Sequence, residues 1–338
     1  MNTTIPSGAG VLERLREGGW ISGQALCEAL HCTRAAIWKQ IEALRRRGYA
    51  IDARPRWGYR LTAAPETPLP AEVQPRLATA CLGRNLVWLP TVDSTNRWLS
   101  AKADAGAPEG LVVAADIQTE GRGRLDRAWC TPPGDNLAFS VLLRPAVPLD
   151  RVASLSLLLA LAVRRAVLDQ APGLEPRIKW PNDIWIQGRK LGGILCDMQA
   201  EPDRVRHVVA GIGLNVNAEA NSFPPAIRAT ATSLKIAAGR AFSRAALLAA
   251  LLNALEPLYR RWERDGLNPF LAELAGADLL AGRTLTLDQG PHALSGRADG
   301  IAPDGALRLA QPGGPVRLVY SGDVHVRRLA KRHNGTAT

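Results

Sequence analysis

Glycine and arginine alternate in the segment Gly121-Arg-Gly-Arg124, which follows Gln118 and an apolar run. Glycine lets the backbone approach a ligand closely, and guanidinium groups bind phosphate and carboxylate oxygens in pairs. The segment therefore predicts a site for a phosphate or a carboxylate. A flexible basic surface loop would have the same composition, so this prediction needs support from other parts of the chain.

A second group of charged residues lies in Lys179-Trp-Pro-Asn-Asp183 and the segment 189–195 that follows it. Lysine carries a compact point charge, and Lys179 is a candidate for placing that charge at a fixed position. Lys190 is either a second cation of the site or a solvated lysine in a hairpin. The asparagine and aspartate of this segment can hold a turn or a cap.

Two further segments combine small and polar residues, Ser94-Thr-Asn96 and Gly211-Ile-Gly-Leu-Asn215. Hydroxyls before a helix are typical of a simple helix cap, whereas the glycines permit close approach of a ligand to a strand. Asn215 offers both a donor and an acceptor. A tight hairpin is the alternative for the second segment.

Several common catalytic motifs are missing from the sequence. It has no G-x-x-x-x-G-K-[ST] phosphate loop, no G-x-S-x-G nucleophile turn and no H-E-x-x-H zinc motif. The five cysteines include no C-x-x-C pair, so neither a disulfide framework nor a zinc site is expected. These observations exclude P-loop nucleotidases, α/β-hydrolases and zinc proteases of the common types.

Positive charge is concentrated near the N-terminus. The 338 residues carry a net charge of +11, and residues 1–64 hold 10 Lys and Arg against 5 Asp and Glu. Such an excess is compatible with a polyanionic partner such as DNA. The longest strongly apolar stretch, 155–163, is far shorter than a membrane span, and we expect a cytoplasmic protein with no membrane partner.

The N-terminal segment has the element order of a winged helix-turn-helix. Helices are predicted at about 9–17, from a cap at Ser22 to Leu30, and from a cap at Thr33 to about Arg47, with short strands at 49–53 and 59–62. In this arrangement the third helix enters the DNA major groove and the hairpin contacts the phosphate backbone. The candidate DNA-binding residues are Thr33, Arg34, Trp38, Lys39, Arg54 and Arg56.

The rest of the chain separates into a linker and two further domains. Four prolines between 65 and 75 predict a semi-extended linker. Alternating strand-like and helix-like runs then predict a mixed α/β domain, and a Gly- and Pro-rich segment predicts a small β-barrel or sandwich. The predicted bounds are 1–63 for the winged helix, 64–79 for the linker, 80–275 for the α/β domain, 276–330 for the β domain and 331–338 for a tail. Within the α/β domain we predict strands at 111–117, 137–143, 183–187, 192–198 and 207–216, and helices at 95–104, 151–170 and 243–265.

Taken together and in order, these motifs resemble those of the biotin–protein ligase family, and the N-terminal segment resembles that of bifunctional members that also repress the biotin operon. The resemblance implies an α+β protein with an N-terminal winged helix-turn-helix. It also implies a central ligase domain similar to class II aminoacyl-tRNA synthetases and a C-terminal SH3-like β-barrel.

The resemblance further implies formation of biotinyl-adenylate from biotin and MgATP, and transfer of biotin to a lysine of a biotin carboxyl-carrier domain of acetyl-CoA carboxylase. Arg122 and Lys179 would be catalytic, and Asp183 would be the candidate Mg²⁺ ligand. A homodimer would bind operator DNA. The implied biotin-binding residues are Ser94, Thr95, Asn96, Gln118, Gly121, Arg122, Gly123, Arg124, Lys179 and Gly193. The implied ATP- or adenylate-binding residues are Arg124, Arg127, Trp129, Lys190 and Asn215.

The sequence departs from the family pattern at Asp126, where a basic residue and a glycine usually follow the second arginine. Aspartate tolerates left-handed backbone better than most residues other than glycine, and its charge would lie near the expected phosphates. Three alternatives stay open: a ligand-sensing repressor without efficient turnover, a lipoate-type ligase, and a ligase whose N-terminal domain no longer binds DNA.

Overall fold

The computed structural model describes residues 9–129, 132–289, 292–311 and 313–326. The chain divides into two compact units, Met1–Thr67 and Pro68–Thr338. Within the described ranges, no helix is both long and apolar enough to cross a membrane.

The first unit, as described from residue 9 onward, contains three helices followed by a β-hairpin. The Ser22 hydroxyl accepts a hydrogen bond from Ala25 N, and the Thr33 hydroxyl accepts one from Ala36 N, so both predicted caps are confirmed. Ile37 and Ile41 form part of the buried stripe of the third helix. This order confirms the predicted winged helix-turn-helix. The elements are α1 (Ala9–Arg16), α2 (Gly23–Leu30), α3 (Arg34–Arg46), β1 (Ala50–Arg54) and β2 (Gly58–Ala63).

The predicted linker is partly wrong, because residues within 64–79 fold against the second unit. Pro70 occupies the start of a short helix, α4 (Pro70–Val73), and a 3₁₀ turn continues to Arg76. Proline is well suited to the first turn of a helix, where its missing N–H has no partner to lose. Two of the four prolines that suggested an extended linker, Pro70 and Pro75, therefore begin helical turns instead.

A mixed seven-stranded sheet forms the centre of the second unit, with strand order β3-β4-β5-β9-β8-β7-β6. Only β3 and β4 run parallel; the other neighbouring pairs are antiparallel. All five predicted strands are present, whereas β3 and β6 were not predicted. The strands are β3 (Leu86–Val92), β4 (Val112–Gln118), β5 (Leu137–Leu143), β6 (Arg177–Lys179), β7 (Asp183–Ile186), β8 (Arg189–Ala200) and β9 (Val205–Leu214).

Among the described residues of the second unit, five further helices follow α4. Nearly every residue of α6 from Leu155 to Val163 is buried, and this helix packs against α8. The three helices predicted in this region are confirmed, although the first residues of the second one form a 3₁₀ turn. Two short helices, α7 and α9, were not predicted. The helices are α5 (Thr95–Asp104), α6 (Leu155–Gln170), α7 (Leu234–Ala238), α8 (Arg244–Asp265) and α9 (Leu271–Ala277).

The C-terminal segment forms a five-stranded antiparallel sheet with order β13-β12-β11-β10-β14. Its buried leucines, including Leu285 and Leu309, belong to the same apolar core as the central helices. The Trp180 Nε1–H donates to Gly305 O at 3.0 Å, which fastens this sheet to the central one. The predicted β domain is thus present. Its strands are β10 (Thr284–Gln289), β11 (His292–Ile301), β12 (Leu307–Ala310), β13 (Val316–Val319) and β14 (Asp323–Val326).

Candidate active site

The motifs of the α/β domain converge on one cavity of about 500 Å³ in the second unit. Among the site residues predicted there, Gly121 does not line the cavity. All the others line it: Ser94, Thr95, Asn96, Gln118, Arg122, Gly123, Arg124, Arg127, Trp129, Lys179, Asp183, Lys190, Gly193 and Asn215.

Sheet register explains why distant motifs meet here. Strands β3 and β4 are parallel and end opposite each other at Val92 and Gln118. The chain turns after β3 into Ser94 and α5, so that turn lies beside the start of the Gly-Arg-Gly-Arg loop. The Thr95 N–H and hydroxyl lie 2.9 and 3.0 Å from Gln118 Oε1 and hold the two motifs together.

Ser94 occupies the N-cap position of α5 but makes no capping hydrogen bond. The serine and threonine caps of α2, α3, α7 and α8 all make one. The Ser94 side chain is instead part of the cavity wall. A ligand-binding role is therefore favoured over the simple helix cap that the sequence left open.

Two glycines on β9 are required by their neighbours. A Cβ on Gly211 would lie 2.1 Å from Asn96 Oδ1, and a Cβ on Gly213 would lie 2.4 Å from the Trp129 ring. Both distances are far below contact distance, so only glycine permits the observed packing. Gly121, which lies outside the cavity, is restricted in the same way, because its Cβ would lie 2.5 Å from Trp129 O.

The loop 121–129 folds as a small hairpin. Gly123 N donates to Arg127 O at 2.7 Å, and Trp129 N donates to Gly121 O at 2.9 Å. The left-handed backbone expected at Asp126 lies one residue earlier, at Leu125, with φ of 57°. The hairpin hydrogen bonds place the turn at that position. The side chain of Asp126 lies outside the described part, so its effect on the phosphates stays a prediction.

Cationic side chains surround the cavity. The Arg124 Nη1 donates to Asn182 Oδ1 at 3.3 Å, and Lys179 Nζ lies 5.3 Å from the centre of the Trp185 ring. Lys190 Nζ is 2.7 Å from Asp183 Oδ1. Lys190 is therefore a paired residue of the cavity wall rather than a freely solvated hairpin lysine.

Asp183 is the candidate metal ligand, but few other metal-binding side chains lie near it. Across the residues that the structure describes, no group of three or more His, Cys, Asp or Glu side chains could hold a metal ion. Mg²⁺ commonly uses one or two carboxylates together with substrate phosphates. The single carboxylate of Asp183 fits that kind of site, provided the phosphates supply the remaining ligands.

Asn215 and the apolar wall complete the cavity. Asn215 is buried, and its amide bonds to Asn136 Nδ2 at 3.2 Å and to Thr232 O at 3.0 Å. Sequence reasoning did not assign much of the wall to the site, since most of these side chains are apolar and some lie in loops or strands outside every motif. The missed wall residues include Leu125, Asn182, Ile194, Ile212, Phe223, Ile227, Gly322 and Val324.

The first unit carries a separate basic groove of about 590 Å³. Arg34, Arg54 and Arg56 line it, between the start of α3 and the hairpin. Trp38 is 57% exposed, and Lys39 is exposed as well. These five predicted DNA-binding side chains are thus all accessible, whereas the Thr33 hydroxyl is engaged as the cap of α3.

Comparison with known proteins identifies the family. The HTH domain family matches residues 11–60, the Biotin/lipoate A/B protein ligase family matches 88–215, and the Biotin protein ligase C terminal domain matches 284–327. The chain is 39% identical over 307 residues to the bifunctional ligase/repressor BirA of Bacillus subtilis, covering 91% of this chain and 94% of that protein. The chain belongs to the bifunctional ligase/repressor family.

Other biotin protein ligases resemble the chain over about three quarters of its length. The chain is 36% identical over 256 residues to the biotin–[acetyl-CoA-carboxylase] ligase of Mycobacterium tuberculosis, covering 72% of this chain and 90% of that protein. The biotin protein ligase of Aquifex aeolicus, solved in complex with biotin and ATP, matches with a TM-score of 0.62 and 29% identity. That match covers 73% of this chain and all of the Aquifex chain. The family predicted from the motifs is confirmed.

Proposed function

We propose that this chain is an ATP-dependent biotin–protein ligase that also represses transcription in response to biotin. The observation that carries the ligase is the convergence of Arg122, Arg124 and Lys179 with Ser94, Thr95 and Gln118 on one cavity. Three cations suit a meeting of carboxylate and phosphate, and the hydroxyl and amide groups suit a polar ring. Family membership supports the same activity.

The proposed reaction has two steps. A carboxylate oxygen of biotin attacks the α-phosphorus of ATP, the bond to the β-phosphate oxygen breaks, and pyrophosphate leaves. The neutral ε-amine of a lysine on a biotin carboxyl-carrier domain then attacks the carbonyl carbon of the mixed anhydride. AMP leaves, and the new amide forms with loss of a proton from the amine.

The cations make the first step possible, because two anionic groups must approach each other. Arg122 and Lys179 would offset the negative charge that accumulates where carboxylate and α-phosphate meet. One cavity that holds both substrates also removes much of the entropic barrier to their encounter. Mg²⁺ on the phosphates would supply further positive charge, with Asp183 as its protein ligand in competition with Lys190.

The remaining walls of the cavity fit the rest of the intermediate. We assign the ureido ring of biotin to Ser94, Thr95 and Gln118, and the adenylate to the side of Trp129. Arg124, Arg127 and Lys190 are assigned to the phosphates. Asn215 belongs to the adenylate side, where its bonds to Asn136 and Thr232 fix the end of β9.

Exchange of labelled pyrophosphate into ATP tests the ligase directly. We expect exchange that depends on biotin and that lipoate does not support. Exchange with lipoate in place of biotin would indicate a lipoate-type ligase instead. Tight biotin binding without any exchange would indicate a ligand-sensing repressor.

The repressor activity is assigned to the first unit. Arg34 and Lys39 on α3 would enter the major groove, and Arg54 and Arg56 would contact phosphates. A single winged helix binds DNA weakly, so we propose a homodimer on a two-fold operator, promoted by the adenylate.

Selection from a random duplex library, with and without biotin and ATP, tests this assignment. We expect enrichment of a two-fold symmetric sequence that depends on both substrates and is lost in Arg34→Ala. Enrichment that is equal without substrates would contradict the proposed coupling. The absence of any enrichment would indicate a ligase whose N-terminal unit no longer binds DNA.

A further inference from the structure

We infer that Ser140 and Asp197, two residues outside every motif, determine the affinity for biotin by orienting the polar groups that receive its ureido ring. The inference rests on the proposed ligase function. Ser140 lies on β5 and Asp197 on β8. Both act through Asn96, which lies between them at the cavity.

The amide of Asn96 is fully engaged by the protein. Its Nδ2 donates to Asp197 Oδ2 at 2.7 Å and to Leu195 O at 3.2 Å. Its Oδ1 accepts from the Ser140 hydroxyl at 2.6 Å. Because both N–H groups are used, the amide cannot be flipped without breaking these contacts. Asn96, predicted as a biotin ligand, is therefore assigned to positioning.

The number of available protons limits which of the Ser140 and Thr95 hydroxyls donates and which accepts. Ser140 Oγ lies within donating distance of two acceptors, Asn96 Oδ1 at 2.6 Å and Thr95 Oγ1 at 2.8 Å, but it has one proton. We assign that proton to Asn96 Oδ1, the nearer acceptor, which leaves Ser140 Oγ as an acceptor toward Thr95. The Thr95 proton thus points into the protein, toward Ser140 or toward Gln118 Oε1 at 3.0 Å. In either case the oxygen of Thr95, a residue of the cavity wall, can act toward a ligand only as an acceptor.

The same network leaves Gln118 as a hydrogen-bond donor toward the ligand, whereas Thr95 is left as an acceptor. Its Oε1 accepts from Thr95 N–H at 2.9 Å, so its Nε2 is left as the donor. One acceptor at Thr95 and one donor at Gln118 match a cyclic urea, which presents an N–H beside a carbonyl. The network therefore selects a ligand by the direction of its hydrogen bonds.

Apart from Asp197, which is exposed, the network is buried and tightly packed. Ser140 is 0% exposed and Thr95 3% exposed, and Gly211 contacts Asn96 so closely that a Cβ could not be placed. In such surroundings a lost partner leaves an unsatisfied polar atom, which is costly. A change at Ser140 or Asp197 should therefore reach the ureido ring even though neither residue touches it.

Steady-state pyrophosphate exchange with Ser140→Ala tests the inference. Ser140→Ala removes the donor to Asn96 Oδ1 and one of the two acceptors open to the Thr95 proton. We expect KM for biotin to rise about tenfold, with kcat and KM for ATP within about twofold. A purely structural defect would instead move both KM values. Ser154→Ala is the matched control, because Ser154 is equally buried and bonds Trp262 Nε1 at 2.9 Å, away from the network.

Asp197 provides a second, independent variant, because it is exposed and its substitution should not unfold the protein. We expect Asp197→Ala to raise KM for biotin, and Asp197→Asn to restore it by keeping an acceptor oxygen for Asn96. An unchanged KM for biotin in both Ser140→Ala and Asp197→Ala would overturn the inference, as would an equal rise in KM for ATP. Absence of biotin-dependent exchange in the wild type would instead overturn the proposed function.

Discussion

Individual contacts in the cavity make the glycines of β9 sensitive positions. In Gly213→Ala the new methyl group would meet the Trp129 ring at 2.4 Å, and ring atoms cannot yield as a flexible side-chain end does. We predict displacement of the indole and a rise in KM for ATP of about tenfold or more, since overpacking typically costs about 1–3 kcal/mol. Substrate titration of the exchange reaction measures this change.

Gly276→Ala is the control for that substitution. Gly276 lies in α9, and no atom beyond its neighbours in the helix lies within 4 Å of the position that a methyl group would take. The extra methyl group should therefore leave the kinetics unchanged. Its helical position should raise stability slightly, because alanine favours helix over glycine. Wild-type KM for ATP in Gly213→Ala would contradict the placement of Trp129 against β9.

Site residues that cluster in one short segment could be predicted from the sequence. Residues that reach the site only through the pairing of strands could not. The loop 121–124 and the segment 179–183 carry their charges within a few residues, so their composition alone predicted a site. Ser140 gave no such signal, because it meets the site only through its register opposite Gly211 on β9. That register cannot be derived from the composition of either strand.

At the scale of elements, α8 fastens the beginning of the second unit. The Glu256 carboxylate accepts the N–H groups of Ala80, Cys81 and Leu82 at 2.8–3.0 Å. Burial alone would raise the pKa of Glu256, but these N–H donors and Arg260 hold it below its ordinary value of 4.5. The charged form is therefore the one that stabilises this junction.

A depressed folded pKa sets the pH range of that contribution. The stabilisation by the Glu256 carboxylate is fully present above the pKa of the unfolded chain, near 4.5. It is lost as the pH falls through the lower pKa of Glu256 in the folded protein. We predict that Glu256→Gln lowers the free energy of unfolding at pH 7 by about 1 kcal/mol, after allowance for solvent screening. Urea unfolding at pH 7 and pH 3.5 should show a smaller difference in the free energy of unfolding between wild type and Glu256→Gln at the lower pH. An equal difference at both pH values would contradict this role.

The cap of α3 gives a second prediction at this scale. Thr33→Ala removes the hydroxyl that accepts from Ala36 N at 3.2 Å, and we predict a loss of about 1 kcal/mol in the stability of the first unit. Thr33→Ser keeps the hydroxyl and should retain most of that stability. Equal thermal midpoints for the alanine variant and the wild type would show that the cap contributes nothing.

Long periodic elements were predicted well, and short ones were not. The buried stripe of α3 and the apolar run of α6 have a clear period or length, so tertiary contacts add little to their definition. Strand β6 has three residues and α7 has five, too few for a period to appear. The prolines near residue 70 were misjudged because proline begins helices as readily as it extends linkers.

At the scale of the whole molecule, the two compact units predict separable activities. The Aquifex biotin protein ligase corresponds to 73% of this chain, so a chain of that extent suffices for its fold. We predict that a variant beginning at Pro68 keeps biotin-dependent pyrophosphate exchange within about threefold and loses DNA binding. Loss of exchange in a folded truncated variant would show instead that the first unit contributes to the chemistry.

The central claim is that Lys179 and its neighbours join biotin to a carrier lysine at the expense of ATP. Mass spectrometry of a biotin carboxyl-carrier domain, after incubation with biotin, ATP and Mg²⁺, measures this most directly for wild type, Lys179→Ala and the exposed control Lys102→Ala. We predict complete addition of one biotin by the wild type and by Lys102→Ala, with a rate at least about a hundredfold lower for Lys179→Ala. No addition by the wild type, or equal rates for Lys179→Ala and Lys102→Ala, would contradict it.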